Sequence, residues 1–357
     1  MVLRGGTSKG AYFLAADLPA NAHERDAVLL GVMGSPDPRQ IDGIGGAHPL
    51  TSKVAVVSRS DQPDADVDYL FLQVQVDKPI VSAEQPCGNI LAGVGPFAIE
   101  RQLVKPADPV TPVRIRMVNT GALAVVHVPT PGGAVEYDGD TAISGVPGTA
   151  ARILIDFHDT AGSVAPALLP TGSPVDEIDG VEVTLIDNGM PVVLMDAAEF
   201  GVTGYESPAE LESMPDLRAR VEAIRLRAGR LMELGDVTTA TVPKMCLVAE
   251  PAHGGSLSTR MFIPHRVHAS IGVLAGVTVG TAAVIPGTVA ARRTRPPADP
   301  AVPAGVARLE HPTGWYDVVI EATVGDGGIR VGRSAVVSTA RLLMDGVVFP
   351  GHNRSAT

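Results

Sequence analysis

The sequence contains two copies of the segment Leu-Ala-Gly-Val, at residues 91–94 and 274–277, separated by about half of the 357-residue chain. The same separation places Gly5-Gly6-Thr7 beside Asn188-Gly189-Met190, and a third pair of similar segments follows in the same order. Matches at nearly constant spacing indicate an internal repeat. We therefore predict an N-terminal lobe of residues 1–180, completed by a C-terminal strand from about 335–357, and a C-terminal lobe of residues 181–334.

Each half combines short β-rich segments with one strongly apolar segment. The segments 53–60, 67–76, 113–118 and 122–128 are rich in Val, Ile and Leu and are bounded by turn residues, and similar segments follow residue 181. This pattern predicts strands joined by tight turns. Residues 89–101 and 271–284 are apolar on nearly every face, which predicts one buried helix per half. The predicted fold class is α+β, with two pseudo-symmetric lobes, each a sheet wrapped around its helix, and an active site in the cleft between them.

Charge and composition exclude several classes of protein. A net charge of −11 argues against nucleic acid as a partner, because phosphate binding needs a basic surface. No run of about 18 or more apolar residues is present, so no membrane span is expected. With two cysteines, no cluster of metal-binding spacing and no secretory signal at the N-terminus, we expect a reduced, cytoplasmic protein without a metal site.

Cys87 stands where the first buried helix begins. Unpaired N–H groups and the positive end of the helix dipole favour a thiolate there, which makes the residue a candidate acid, base or nucleophile. Gly88 would let the backbone approach a ligand closely, and Asn89 could supply an amide to an oxyanion. The alternative is a small buried cysteine at a helix start. Cys246 lies in a strand pattern and is expected in the core.

Lys53 lies at the entrance of an apolar strand, directly after Thr51 and Ser52, which are candidates for substrate binding. Partial burial disfavours a charged ammonium group, which suits a general base, although a lysine at a sheet edge with its amine in solvent is the alternative reading. The glycine-rich segment 4–10, which includes Thr7 and Ser8, could present backbone amides to a carboxylate. No phosphate loop or dinucleotide fingerprint is present, so no cofactor is expected.

The second half carries its densest group of cations just before its apolar helix. This segment, 259–270, contains Arg260, His265, Arg266, His268 and, at the position equivalent to Cys87, Ser270. Arginine, histidine and a helix N-terminus together would hold a di- or tricarboxylate, whereas a solvated basic loop is the alternative. Asn188, before the turn at Gly189, is a further candidate for substrate binding, with a structural turn as its alternative.

Long motifs of this sequence resemble those of the PrpF family, which has the diaminopimelate epimerase-like fold. The segments RGGTSKG (4–10), LTSKVA (50–55), CGNILAGVGPFA (87–98) and RMFIPHRVHASIG (260–272) carry the resemblance, which spans essentially the whole chain. Within the family the motifs are most similar to those of the branch that acts on 4-oxalomesaconate. Epimerases of this fold use two opposed cysteines, and Ser270 in the second position argues against two-thiol racemisation.

The resemblance implies a cofactor-independent isomerase that uses a lysine and a cysteine, which correspond to Lys53 and Cys87. The implied reaction is a 1,3-allylic proton shift that converts 4-oxalomesaconate to 2-keto-4-carboxy-3-hexenedioate in the bacterial breakdown of aromatic compounds. A 2-methylaconitate isomerase of the same family is the alternative, and a non-catalytic carboxylate-binding protein is a third reading. The expected partner is a small polycarboxylate substrate, and the expected assembly, from base rates, is a homodimer.

Overall fold

The computed structural model describes residues 1–84, 87–300, 302–325 and 328–351. The chain divides into two compact units: unit 1 is Met1–His158 with Ser338–Thr357, and unit 2 is Asp159–Val337. The C-terminal segment joins the N-terminal unit through the pairing of Arg4 with Arg341 and Gly5 with Ala340. The last part of the predicted C-terminal strand, 352–357, lies outside the described residues.

Unit 1 is a sheet packed around one apolar helix. Its elements are β1 (Val2–Gly5), β2 (Ser8–Leu14), α1 (Ala22–Met33), β3 (Lys53–Arg59), β4 (Val67–Val74), β5 (Val81–Ser82), α2 (Gly88–Glu100), β6 (Val110–Met117), β7 (Leu123–Pro129) and β8 (Arg152–Phe157). The strand order is β1-β2-β3-β4-β6-β7-β8, and β5 pairs with β4. Every residue of α2 from Ile90 to Ile99 is buried, and the helix packs against all the strands from β1 to β7 except β5.

Unit 2 repeats this plan. Its elements are β9 (Asp176–Ile178), β10 (Val181–Asp187), β11 (Pro191–Asp196), α3 (Pro208–Glu212), α4 (Pro215–Leu231), β12 (Lys244–Ala249), β13 (Leu257–Phe262), α5 (Val273–Val284), α6 (Val289–Arg293), β14 (Ala307–His311), β15 (Gly314–Gly325) and β16 (Gly328–Met344), whose last residues belong to unit 1. The order is β16-β15-β14-β13-β12-β11-β10-β9, and α5 packs on β10, β11, β14 and β15. The predicted α+β class, with one apolar helix against each sheet, is confirmed.

The segment before β9 belongs to unit 2, whereas the sequence predicts a boundary at residue 180. The reason is Asp187, whose carboxylate accepts hydrogen bonds from the backbone N–H groups of Val164 and Ala165 at 2.7 and 2.8 Å. Its own backbone N–H donates to Leu168, and its carbonyl accepts from Gly162, each at 2.9 Å. This one residue ties the preceding loop to β10. In the described part of the chain, no helix is long and apolar enough to cross a membrane.

Candidate active site

Lys53 begins β3, which is paired on both sides, in parallel with β2 and antiparallel with β4. The residue is only 8% exposed, and its Nζ donates a hydrogen bond to Oε1 of Gln73 at 2.7 Å. The same Nζ lies 5.0 Å from the centre of the Phe71 ring, within the range of a cation–π contact. Lys53 is therefore not a lysine at a sheet edge with its amine in solvent.

Cys87 is the N-cap residue of α2, half-buried and free of any disulfide. Its carbonyl accepts hydrogen bonds from the backbone N–H of Leu91 at 3.1 Å and from the hydroxyl of Tyr69 at 3.2 Å. Burial raises the pKa of Tyr69 well above its ordinary value, so the tyrosine stays protonated and can donate. Cys246 is buried in β12, and burial raises the pKa of its thiol to about 12, which confirms its place in the core.

The turn between β1 and β2 lies against the first turn of α2. A Cβ added to Gly5 would be 2.5 Å from the carbonyl oxygen of Asn89, and one added to Gly6 would be 2.4 Å from Oδ1 of the same residue. The backbone N–H of Thr7 approaches that Oδ1 at 3.4 Å, and the hydroxyl of Ser8 is buried without a partner among the described residues. The structure therefore brings both predicted polar residues of this turn close to the start of α2.

The residues that precede Lys53 support the loop before β3. The hydroxyl of Ser52 is buried and accepts a hydrogen bond from Nε2 of Gln40 at 2.6 Å, so it is engaged within unit 1. Oε1 of Gln40 in turn accepts from the backbone N–H of Ala47 at 2.9 Å. The hydroxyl of Thr51 donates to the carbonyl of His48 at 3.2 Å. The side chains of Ser52 and Thr51 are thus bonded within unit 1, and substrate binding by these two residues stays a prediction.

In unit 2, Ser270 is joined to two histidines. Its backbone N–H donates to Nδ1 of His268 at 2.8 Å, and its hydroxyl shares a hydrogen bond of 3.1 Å with Nε2 of His311. Burial lowers the pKa of His311 to about 4 and also lowers that of His268, so both rings are neutral near pH 7. The helix does not begin at 271 as predicted: Gly272 is the N-cap of α5, and the turn in which Ser270 donates to His268 precedes it.

The residues of the predicted cation cluster are bonded to different parts of unit 2. Arg260 is buried in β13, and its guanidinium donates to the carbonyls of Glu206 at 2.7 Å and Thr259 at 2.9 Å. The chain then turns back, since the backbone N–H of Ile263 donates to the carbonyl of Arg266 at 2.8 Å. Arg266 and His265 lie at the exposed tip of this turn, and Arg266 donates to Glu212 at 2.8 Å. Binding of one anion by these three residues stays a prediction.

Asn188 is also engaged within unit 2. It is completely buried, and its Nδ2 donates to the hydroxyls of Thr281 at 2.8 Å and Ser334 at 2.9 Å. Its Oδ1 accepts from the hydroxyl of Thr160 at 2.6 Å. Both hydrogens of the Asn188 amide are thus used within unit 2, and its oxygen accepts one bond there. These bonds fit the structural alternative for Asn188, and substrate binding by this residue stays a prediction.

Three residues near the candidate groups escaped the sequence analysis: Gln73, Tyr69 and His311. Tyr69 and Gln73 are four positions apart on β4, and Phe71 lies between them, so all three side chains face the same side of the strand. Each meets its partner through a contact between residues far apart in the chain, which a single sequence does not reveal. Within the described residues, no group of three or more metal-binding side chains is present.

Comparison with known proteins gives one consistent picture. The chain matches the protein family described as PrpF protein over residues 1–350. It is 60% identical over 352 residues to the (4E)-oxalomesaconate Delta-isomerase of Novosphingobium sp. (strain KA1), covering 98% of this chain and 96% of that protein. It is 56% identical over 357 residues to the 4-oxalomesaconate tautomerase of Pseudomonas putida, covering 99% and 96%. The crystal structure of a methylitaconate-delta-isomerase is 36% identical, with a TM-score of 0.86, and covers 99% of this chain and 97% of that one.

Proposed function

This isomerase belongs to the PrpF family, and on that premise we propose that it moves a carbon–carbon double bond in 4-oxalomesaconate by a 1,3-allylic proton shift. The product of this shift is 2-keto-4-carboxy-3-hexenedioate. One proton leaves carbon and one returns to carbon, so the product is an isomer of the substrate. The two relatives with the highest identity quoted above carry the names of enzymes acting on this substrate.

The observation that carries the proposal is the side of β4 that bears Tyr69, Phe71 and Gln73. Gln73 and Phe71 contact the amino group of Lys53, and Tyr69 contacts the carbonyl of Cys87. One strand face therefore contacts both residues that are proposed to transfer the proton.

Gly10 provides a second link between these groups. It is paired with Lys53, and a Cβ placed on it would lie 2.7 Å from the Lys53 carbonyl and 3.0 Å from Cδ1 of Ile90 in the first turn of α2. Only a glycine allows this close approach of β2 to both neighbours. The start of β3 and the start of α2 are thus held on either side of one residue.

In the proposed mechanism Lys53 is the base and Cys87 is the acid. The amine of Lys53 removes a proton from the carbon next to the unsaturated acid group of the substrate, and the electron pair is delocalised as a dienolate. Backbone N–H groups at the start of α2, beside Gly88 and Asn89, stabilise the negative charge that develops on oxygen. The thiol of Cys87 delivers a proton to the far end of the allylic system. Thr7 and Ser8, in the turn beside the start of α2, are proposed to bind a substrate carboxylate.

Turnover of 4-oxalomesaconate by the purified protein, followed by proton NMR, tests the proposal. We expect the wild type to form the shifted double bond and Lys78→Met to behave as the wild type. Lys53→Met should lose at least about 1,000-fold in kcat, on the order of the loss of an essential general base. Lys78 is the matched control because it is exposed and lies in the loop after β4. An inert wild type would refute the substrate, and full activity of Lys53→Met would refute the base.

A further inference from the structure

Gln73 stands directly opposite Lys53 in the antiparallel pairing of β3 and β4. The contact between the two side chains, 2.7 Å from Nζ to Oε1, is the hydrogen bond that the Lys53 side chain makes in the described part of the chain. Opposite residues on paired strands have their Cβ atoms about 5 Å apart, so this contact follows from the register and needs no loop to form it. The glutamine is therefore as rigidly placed as the lysine.

The orientation of the Gln73 amide is set by the main chain around it. Its Nε2 donates to the carbonyls of Ser52 at 3.0 Å and Pro49 at 3.1 Å, and it lies 3.3 Å from that of Val74. Rotating the amide by half a turn would place Oε1 against these carbonyl oxygens, an arrangement without any donor. The oxygen of Gln73 must therefore face Lys53.

The other side of the Lys53 amino group meets an aromatic ring. Nζ lies 5.0 Å from the centre of the Phe71 ring. The backbone N–H of Phe71 donates to Oδ1 of Asn119 at 2.9 Å, and its carbonyl accepts from Nδ2 of Asn119 at 3.0 Å. Lys53 stands opposite Gly10 on β2 and Gln73 on β4, neither of which has a titratable side chain, and Asp68, the carboxylate of β4, is paired with Ser58 five residues further along β3. The partners of this amine are thus a neutral amide and a neutral ring.

We propose that Gln73 is a positioning residue for Lys53, which holds one hydrogen of its amino group and so directs the lone pair of the amine toward the substrate. This inference rests on the proposed role of Lys53 as the base. A neutral acceptor is required at this place, because a carboxylate would hold the lysine as an ammonium ion that cannot accept a proton. A glutamine can orient the amine without the strong stabilisation of its protonated form that a carboxylate would bring.

Gln73→Glu and Gln73→Met test the proposal, with Gln62→Glu as the matched control, since Gln62 is exposed and receives the same change of charge. The pH profile of kcat/KM is measured for each protein. We expect Gln73→Glu to shift the acidic limb of the profile to higher pH by at least about one unit and to lower kcat/KM at pH 7 at least about tenfold. Gln62→Glu should leave both the limb and kcat/KM unchanged. Gln73→Met should lower kcat more than it raises KM, because it removes orientation and not substrate contact.

A second readout works without substrate. The 13Cε signal of Lys53, identified by its loss in Lys53→Met, is titrated by NMR in the wild type and in Gln73→Glu. A midpoint that rises by a unit or more in Gln73→Glu supports the proposal, and an unchanged midpoint overturns it. If the titration shifts but the wild type does not convert 4-oxalomesaconate, the contact stands and the proposed substrate fails. If the wild type is active but Gln73→Glu has the same pH profile and the same Lys53 titration as the wild type, then the positioning role of Gln73 is refuted and the proposed function stands.

Discussion

Replacing His311 with glutamine should make the stability of the protein less sensitive to mild acid. His311 is buried at the end of β14, where its Nε2 shares a hydrogen bond with the Ser270 hydroxyl, and burial lowers its pKa from 6.5 to about 4. A glutamine carries an amide at nearly the same position and does not titrate. The variant therefore removes the ionisation while it keeps a group that can bond to Ser270.

The magnitude follows from proton linkage. Between pH 6.5 and about 4 the unfolded chain binds a proton at His311 that the folded chain does not, so the stability from this residue is complete above pH 6.5 and declines as the pH falls. At about 1.4 kcal/mol per pKa unit the full loss is about 3 kcal/mol, and about 2 kcal/mol is already lost at pH 5. Most carboxylates are still ionised at pH 5, so their protonation changes the free energy of unfolding little above that pH.

Urea unfolding at pH 7 and pH 5 is the assay, with His23→Gln as the control because His23 is exposed. We expect the wild type and the control to lose about 2 kcal/mol more than His311→Gln over this interval. If all three proteins lose the same free energy of unfolding, then His311 is not held neutral by its burial and the reasoning fails.

Three further predictions concern other parts of the molecule. Gly93→Ala should cost about 1–3 kcal/mol in urea unfolding, because the added Cβ would lie 2.3 Å from the hydroxyl of Tyr12. Asn188→Ala should lower stability by a similar amount, about 1–3 kcal/mol, by leaving buried hydroxyls unpaired, without raising KM for substrate. Iodoacetamide should modify Cys87 in the native protein and Cys246 only after unfolding, as followed by mass spectrometry; equal labelling of both would contradict the burial described here.

The two apolar helices and the positions of Lys53 and Cys87 could be predicted because each depends on local sequence. A segment apolar on all faces must be buried, and a cysteine followed by such a segment must stand at its start. Even so, the second helix begins later than predicted, at Val273, since the bond between Ser270 and His268 is a local turn with no distinctive residue pattern.

The partners of the candidate groups could not be predicted because they depend on strand register. Gln73 meets Lys53 only because β3 and β4 pair as they do, and His311 meets Ser270 across a long stretch of chain. The surroundings of the cation cluster could not be predicted for a related reason. Arg260 and Arg266 are close in sequence, but Arg260 is buried within a strand, whereas Arg266 lies at the exposed tip of a turn.

The role of Lys53 as the base is tested most directly by exchange of substrate hydrogen with solvent. 4-Oxalomesaconate is incubated in D₂O with the wild type, Lys53→Met and Cys87→Ser, and deuterium in substrate and product is followed by proton NMR. We predict that the wild type forms product carrying solvent deuterium, and that Cys87→Ser still exchanges the substrate hydrogen while it forms product slowly. Lys53→Met should do neither. Exchange by Lys53→Met at the rate of the wild type would contradict the assignment of the base.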